Sequence, residues 1–273
     1  MIHAFDHRQQ FEAMADEAGA AHTCIAPLKA LLYKATLQVV DAKSLHGQAG
    51  LLCDGIHGQD VLNQATGTAL WIARPVEKPK TRPLVFEHGS SIGTLIQSWP
   101  REHVIKCLFF YSTDDDMSIR EQQEQRMFEL YDACCASGHE LLLEIIPPSE
   151  ESASVGESVC RSVDRVYDLG IRPDWWKVPC MDRASVMRMA DTIDKRSPHC
   201  RGIVVLGLDA PIDQLGKGFK AFSGIDRVKG FAVGRSIFGA ASRQWLAGEI
   251  DDEQLVAQVS ANYSTVIDHW ISR

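Results

Sequence analysis

Eight short apolar runs recur along the chain, and stretches of helical periodicity separate them. The runs are Ile2–Asp6, Gly50–Asp54, Thr68–Ala73, Val104–Tyr111, Glu140–Ile146, Asp174–Val178, Gly202–Gly207 and Gly230–Gly234. Alternating strand and helix signals predict a parallel sheet covered by helices. Eight such units in 273 residues predict an α/β fold, a single-domain (β/α)8 TIM barrel over residues 1–273. The rival, a doubly wound open sheet, lacks the G-x-G-x-x-G fingerprint that a dinucleotide fold usually carries after its first strand.

Punctuation supports the alternation. Ser118 followed by Glu121 fits a capping box opening a long charged helix that Gly138 ends. Ser236 is placed to cap the helix after the eighth run, and helices are read at Ile212–Phe222 and Asp252–Ile271. The stretch from Arg74 to Pro83, rich in Pro, Lys and Arg, reads as a loop, either a mobile active-site segment or a solvated connection. Leu84–Phe86 has no assignment from sequence.

Net charge is −8, from 28 Lys+Arg against 36 Asp+Glu, which excludes the broad positive field of a general nucleic-acid binder. No apolar run is long enough to span a bilayer, and the first ten residues do not resemble a signal peptide. The eight cysteines form no C-x-x-C pair, and several sit inside apolar runs. They read as small buried hydrophobes in a reducing, cytoplasmic compartment, with neither a disulfide framework nor a zinc ribbon.

Active sites of such barrels lie at the C-terminal ends of the strands. Asp6, Asp54, Glu144, Lys177, Gly207, Gly234 and Arg235 fall there, and Lys106 lies within the fourth strand. Charges inside apolar strands are paired, exposed or functional. Three in successive strands (Lys106, Glu144 and Lys177) exceed what packing needs. Strand alternation puts Trp175 and Lys177 on one face and Trp176 on the other. An amine in apolar surroundings beside a second cation sheds its proton more readily and can then attack a ketone to form a Schiff base. Lys106 is the candidate cation, and Glu144 the candidate proton carrier. After the eighth strand, Gly234 allows close backbone approach to an anion and Arg235 offers a fork of donors, so the pair reads as a phosphate cradle with Gly207 opposite. The pocket is therefore expected to be locally basic around Lys106, Lys177 and Arg235.

Weaker signals remain. Ten histidines show no metal-ligand spacing, so no metal is assigned. Gly89–Gly93 matches G-x-S-x-G with Ser91 as nucleophile, but no firm strand precedes it, and a loop leading into a helix is the better reading. Asp114, Asp115 and Asp116 read as a solvated turn before a helix rather than a cation site.

Read together, AFDHR (4–8), LLCDGIHG (51–58), WIARPVE (71–77), VIKCLFFYSTDDD (104–116), ELLLEIIPP (140–148), DWWKVP (174–179), VLGLDAP (205–211) and GFAVGRSIF (230–238) resemble a known family. It is the aldolase-like C-terminal domain fused to bacterial 5-dehydro-2-deoxygluconokinases of inositol catabolism, itself similar to class I tagatose-1,6-bisphosphate aldolases. The resemblance covers essentially the whole chain. It implies a Schiff-base lysine at Lys177, an acid/base glutamate at Glu144, an active-site lysine at Lys106, an Asp-x-Arg pair at Asp6 and Arg8, and phosphate binding at Gly234 and Arg235. Two positions depart from the tagatose aldolases: His7 replaces a glutamine, and Gly207-Leu208-Asp209 replaces a Ser-Ala-Gly-like turn. The implied activity is cofactor-free cleavage of 5-dehydro-2-deoxy-6-phosphogluconate, with Arg8 or Lys106 facing the substrate carboxylate. The implied partners are that phosphorylated keto-sugar acid and a sugar kinase acting alongside; apolar positions in the terminal helices add a second copy of the chain as an expected partner. The alternatives are a non-catalytic phosphosugar-binding domain serving a kinase, or an aldolase for another ketose phosphate.

Overall fold

The computed structural model describes residues 1–89, 91–148 and 154–273, and its eight parallel strands follow chain order around a closed barrel. They are β1 (Ile2–Ala4), β2 (Gly50–Leu52), β3 (Trp71–Pro75), β4 (His103–Phe110), β5 (Leu141–Ile146), β6 (Trp175–Val178), β7 (Gly202–Leu206) and β8 (Val228–Val233). Among the described residues the helices are α1 (Gln9–Ala18), α2 (Ile25–Ala42), α3 (Gln59–Ala65), α4 (Ile92–Gln97), α5 (Met117–Ser137), α6 (Val155–Asp168), α7 (Arg183–Arg196), α8 (Ile212–Phe219), α9 (Arg235–Leu246) and α10 (Asp252–Ile271). No helix among the described residues is long and apolar enough to cross a membrane.

The chain sorts into two compact units. One comprises Met1–Arg74, Gly207–Phe219 and Phe231–Arg273; the other comprises Pro75–Leu206 and Lys220–Gly230. In the first, rings join its strands and helices: Phe11 of α1 stacks on Phe238 of α9 at 4.9 Å, His3 of β1 on Tyr263 of α10 at 5.1 Å, and Phe231 of β8 meets Trp270 of α10 edge-on at 5.6 Å. In the second, β4 pairs with β5, β5 with β6 and β6 with β7. Trp176 is fully buried and its indole N–H donates to the Tyr167 hydroxyl at 2.9 Å.

Caps explain where several helices start and stop. Asp182 accepts from the Ser185 N–H at 3.0 Å, and Asp251 with Gln254 forms a complete capping box on α10. Gly138, at φ 72°, ends α5 in the left-handed region.

Several expectations need correction. Ser118 is not a cap. The turn at 112–115, where Asp115 accepts from the Ser112 N–H, starts α5 at Met117, so the Ser118 hydroxyl accepts from the Gln122 amide instead. Ser236 lies within α9 and donates to the Ala210 carbonyl at 2.6 Å. The third strand starts at Trp71, because the Thr68 hydroxyl donates to the Ala65 carbonyl at 2.6 Å and holds the preceding residues in a turn. The short helix α3 escaped the reading of the sequence, and the 3₁₀ turn Lys220–Phe222 replaces the last residues expected of α8.

The stretch from Arg74 to Pro83 is not one loop. Arg74 and Pro75 finish β3, and residues 76–87 double back as a hairpin. Glu77 bridges Phe86, Lys78 N–H donates to the Val85 carbonyl at 2.8 Å, and Glu87 N–H donates to the Val76 carbonyl at 2.8 Å. Leu84–Phe86 is its return limb, tied down where the Leu84 N–H donates to the Gln123 amide oxygen at 2.8 Å. Ser90 lies outside the described residues. Ser91 flanks α4 with its hydroxyl donating to Thr94, and among the described residues no strand leads into it.

Candidate active site

Strand register brings three of the expected residues together. Glu144 pairs with Lys177 across β5 and β6, while Lys106 pairs with Leu142, one step of the same face below Glu144. Adjacent strands lie about 4.8 Å apart, so these side chains reach one another. Lys177 Nζ is 2.9 Å from Glu144 Oε1, and Lys106 Nζ is 3.1 Å from Glu144 Oε2. A single carboxylate thus spans two ammonium groups.

The hairpin adds a residue the sequence reading missed. Glu77 Oε1 accepts from Lys106 Nζ at 2.6 Å. The backbone fixes this contact too, since the Val76 N–H donates to the Lys106 carbonyl at 3.1 Å. Glu77, Lys106 and Glu144 are each 4% exposed and Lys177 6%, so all four charges share one buried row, Glu77–Lys106–Glu144–Lys177. Two positive and two negative groups balance, which corrects the expectation of a locally basic pocket here. A buried charge left without its partner costs about 3–5 kcal/mol, so the row must stay matched. Behind it, burial pushes the Cys107 thiol well up, with Glu77 adding to the effect.

The first unit holds the other expected residues. Asp6 and Arg8 follow β1, and a guanidinium N–H of Arg8 donates to the Asp6 carbonyl at 2.7 Å. Asp54 is fully buried. One of its oxygens is bonded to Lys29, whose ammonium also donates to the His7 carbonyl at 2.9 Å. The other accepts the N–H groups of Ile56 and His57 at 2.9 and 2.8 Å. Asp54 therefore braces the turn after β2. Lys29 was missed, although a lysine inside the apolar stretch IAPLKALL was a signal for it. Arg74, at the end of β3, is also buried, and loss of solvation lowers its guanidinium to about 10. Burial likewise pushes the nearby Cys53 thiol up.

At the start of α9, Gly234 sits where a Cβ would overlap the Ala4 carbonyl oxygen, so glycine is required for the β8–α9 turn. Arg235 follows it and pairs with Asp209 at 3.1 Å. Gly207 leads from β7 into a separate turn, between β7 and α8, where Leu208 and Asp209 both take positive φ, 46° and 64°. The Arg235 fork is thus engaged by a carboxylate of its own chain. Asp114 pairs with Arg161 at 2.8 Å and Asp115 with Arg82, so these acids serve the loops around α5. Among the described residues no cluster of His, Cys, Asp and Glu has the arrangement to hold a metal.

Solved structures share this fold. An archaeal fructose 1,6-bisphosphate aldolase aligns with a TM-score of 0.58 at 12% identity, over 98% of this chain and 93% of that one. A further archaeal fructose-1,6-bisphosphate aldolase, solved with its catalytic Lys covalently bound to the carbinolamine intermediate of the substrate, gives 0.58 at 11% identity over 97% and 92%. The fructose-bisphosphate aldolase from Slackia heliotrinireducens DSM 20476 gives 0.52 at 11% identity over 85% and 76%. At such identities the likeness establishes the barrel fold. No curated protein matches the chain in sequence. The family model described as "Uncharacterized protein conserved in bacteria (DUF2090)" matches residues 1–273, and the chain belongs to that family.

Proposed function

We propose that the protein is a class I aldolase that cleaves 5-dehydro-2-deoxy-6-phosphogluconate into dihydroxyacetone phosphate and malonate semialdehyde. The observation that carries this reading is the buried Glu144 carboxylate, 2.9 Å from Lys177 and 3.1 Å from Lys106. A lysine beside a buried acid/base is what Schiff-base chemistry requires. The fold shared with a protein whose catalytic Lys is seen bound to a carbinolamine is in keeping with it.

In this mechanism Glu144 takes a proton from Lys177, and the neutral amine attacks the substrate ketone. The carbinolamine hydroxyl then leaves as water with the proton that Glu144 returns. The resulting iminium draws the electron pair of the C3–C4 bond as that bond breaks. Glu144 accepts the proton from the C3 hydroxyl, and malonate semialdehyde departs. Protonation of the enamine at C4 and hydrolysis release dihydroxyacetone phosphate and restore Lys177. A sugar kinase is the class of enzyme that supplies such a substrate.

The test is triose-phosphate release from a panel of phosphorylated ketoses, followed through NADH oxidation by glycerol-3-phosphate dehydrogenase. The 2-deoxy keto acid phosphate should be turned over best, and Glu144→Gln should lower kcat by about 10²–10⁴. Preference for fructose or tagatose 1,6-bisphosphate would overturn the substrate. Binding without any turnover would overturn the aldolase reading in favour of a phosphosugar-binding domain.

A further inference from the structure

We infer that Glu77 is a positioning residue that decides which of the two buried lysines becomes the nucleophile. The lysines start out similar: each projects from the interior of a strand, each is at most 6% exposed, and each contacts Glu144. Their carboxylate contacts differ. Among the described residues Lys106 lies between two carboxylates, Glu77 at 2.6 Å and Glu144 at 3.1 Å, whereas Lys177 meets Glu144 alone at 2.9 Å. A carboxylate within about 4 Å favours the charged form of an amine, and two favour it more. Lys106 is therefore the fixed cation, and Lys177 the lysine that gives its proton to Glu144.

Glu77 also acts on Glu144. By sharing the Lys106 ammonium, it keeps that cation from drawing fully onto Glu144, which leaves Glu144 able to accept a proton. Without Glu77 the row becomes Lys106–Glu144–Lys177, symmetric about one carboxylate and carrying one surplus positive charge. Either lysine could then shed the proton. The hairpin at 76–87 exists on this view to carry one side chain into the barrel interior. Its limbs pair with each other, its base pairs with β4 at Lys106, and Gln123 of α5 holds its return limb while donating to the Phe110 carbonyl of β4 at 2.8 Å.

This role rests on the aldolase reading, but its first readout does not need it. Cyanate is small and carbamoylates only the unprotonated amine, so initial labelling rates at Lys106 and Lys177, resolved by peptide mass spectrometry, report which lysine yields its proton. In the native protein Lys177 should label at least about tenfold faster than Lys106. Glu77→Gln should bring the ratio close to one, and Glu77→Asp, which keeps the charge, should restore part of the bias. Lys106→Met removes the second ammonium from Glu144 and should slow labelling of Lys177 severalfold; it carries the test if Glu77→Gln does not fold. An unchanged ratio in Glu77→Gln, faster labelling of Lys106 in the native protein, or unslowed labelling of Lys177 in Lys106→Met would overturn the role. The second readout is borohydride trapping with the ketose phosphate, where Glu77→Gln should place part of the adduct on Lys106. If the native protein traps nothing while the cyanate bias holds, the aldolase reading fails and the charge assignment stands.

Discussion

At the scale of the residue, His3 shows how burial fixes a protonation state. It is fully buried, stacked on Tyr263, and its Nδ1 lies 2.8 Å from the Thr36 hydroxyl. That hydroxyl donates to the Leu32 carbonyl at 2.8 Å, so Nδ1–H is the donor to Thr36. Burial, with a smaller contribution from His7, lowers the imidazole from 6.5 to about 3. Above pH 6.5 both folded and unfolded forms hold a neutral ring and stability is intact. Between 6.5 and 3 only the unfolded chain gains the proton, so this group alone takes away about 1.4 kcal/mol per pH unit. Urea midpoints should therefore fall as the pH is lowered from 6.5, and less steeply in His3→Phe. Parallel acid limbs for the two proteins would show that His3 does not titrate in this way. Lys106, Glu144 and Lys177 were legible in the sequence because a charge inside an apolar strand has few other uses. Glu77 was not, because it lies among Pro, Lys and Arg that read as an irregular loop, and only the hairpin's return to Phe86 turns it inward.

At the scale of the element, strand cores were easier to read than their junctions. Runs such as GIVVL and LLLEII declare themselves by composition, and both became strands. Element ends depend on partners far away in sequence. The Ser236 hydroxyl finds Ala210, and the turn after β2 closes on Lys29 of α2, which no local pattern announces. The junction of β8 and α9 makes this measurable. Gly234→Ala would place a methyl group into the Ala4 carbonyl and 2.9 Å from the His7 ring, costing about 1–3 kcal/mol or preventing folding. Gly239→Ala, within α9 and with no neighbour nearer than 3.6 Å, should leave stability unchanged or raise it by about 0.5–1 kcal/mol. Thermal unfolding of the two variants checks the contrast; equal melting temperatures would contradict it.

At the scale of the molecule, counting alternating units was enough to give the barrel, since eight strands close in chain order. The charge distribution was less legible. The chain carries −8 overall, yet the row at Glu77, Lys106, Glu144 and Lys177 is balanced, and Arg235 is matched by Asp209. Pairing on this scale is set by tertiary contacts, which composition does not report. Lys177 is the amine proposed to attack a ketone. Sodium borohydride added with the ketose phosphate, followed by peptide mass spectrometry, measures this directly. A reduced adduct on Lys177, absent in Lys177→Ala together with activity, is the predicted result. An adduct confined to another lysine, or full activity in Lys177→Ala, would contradict it.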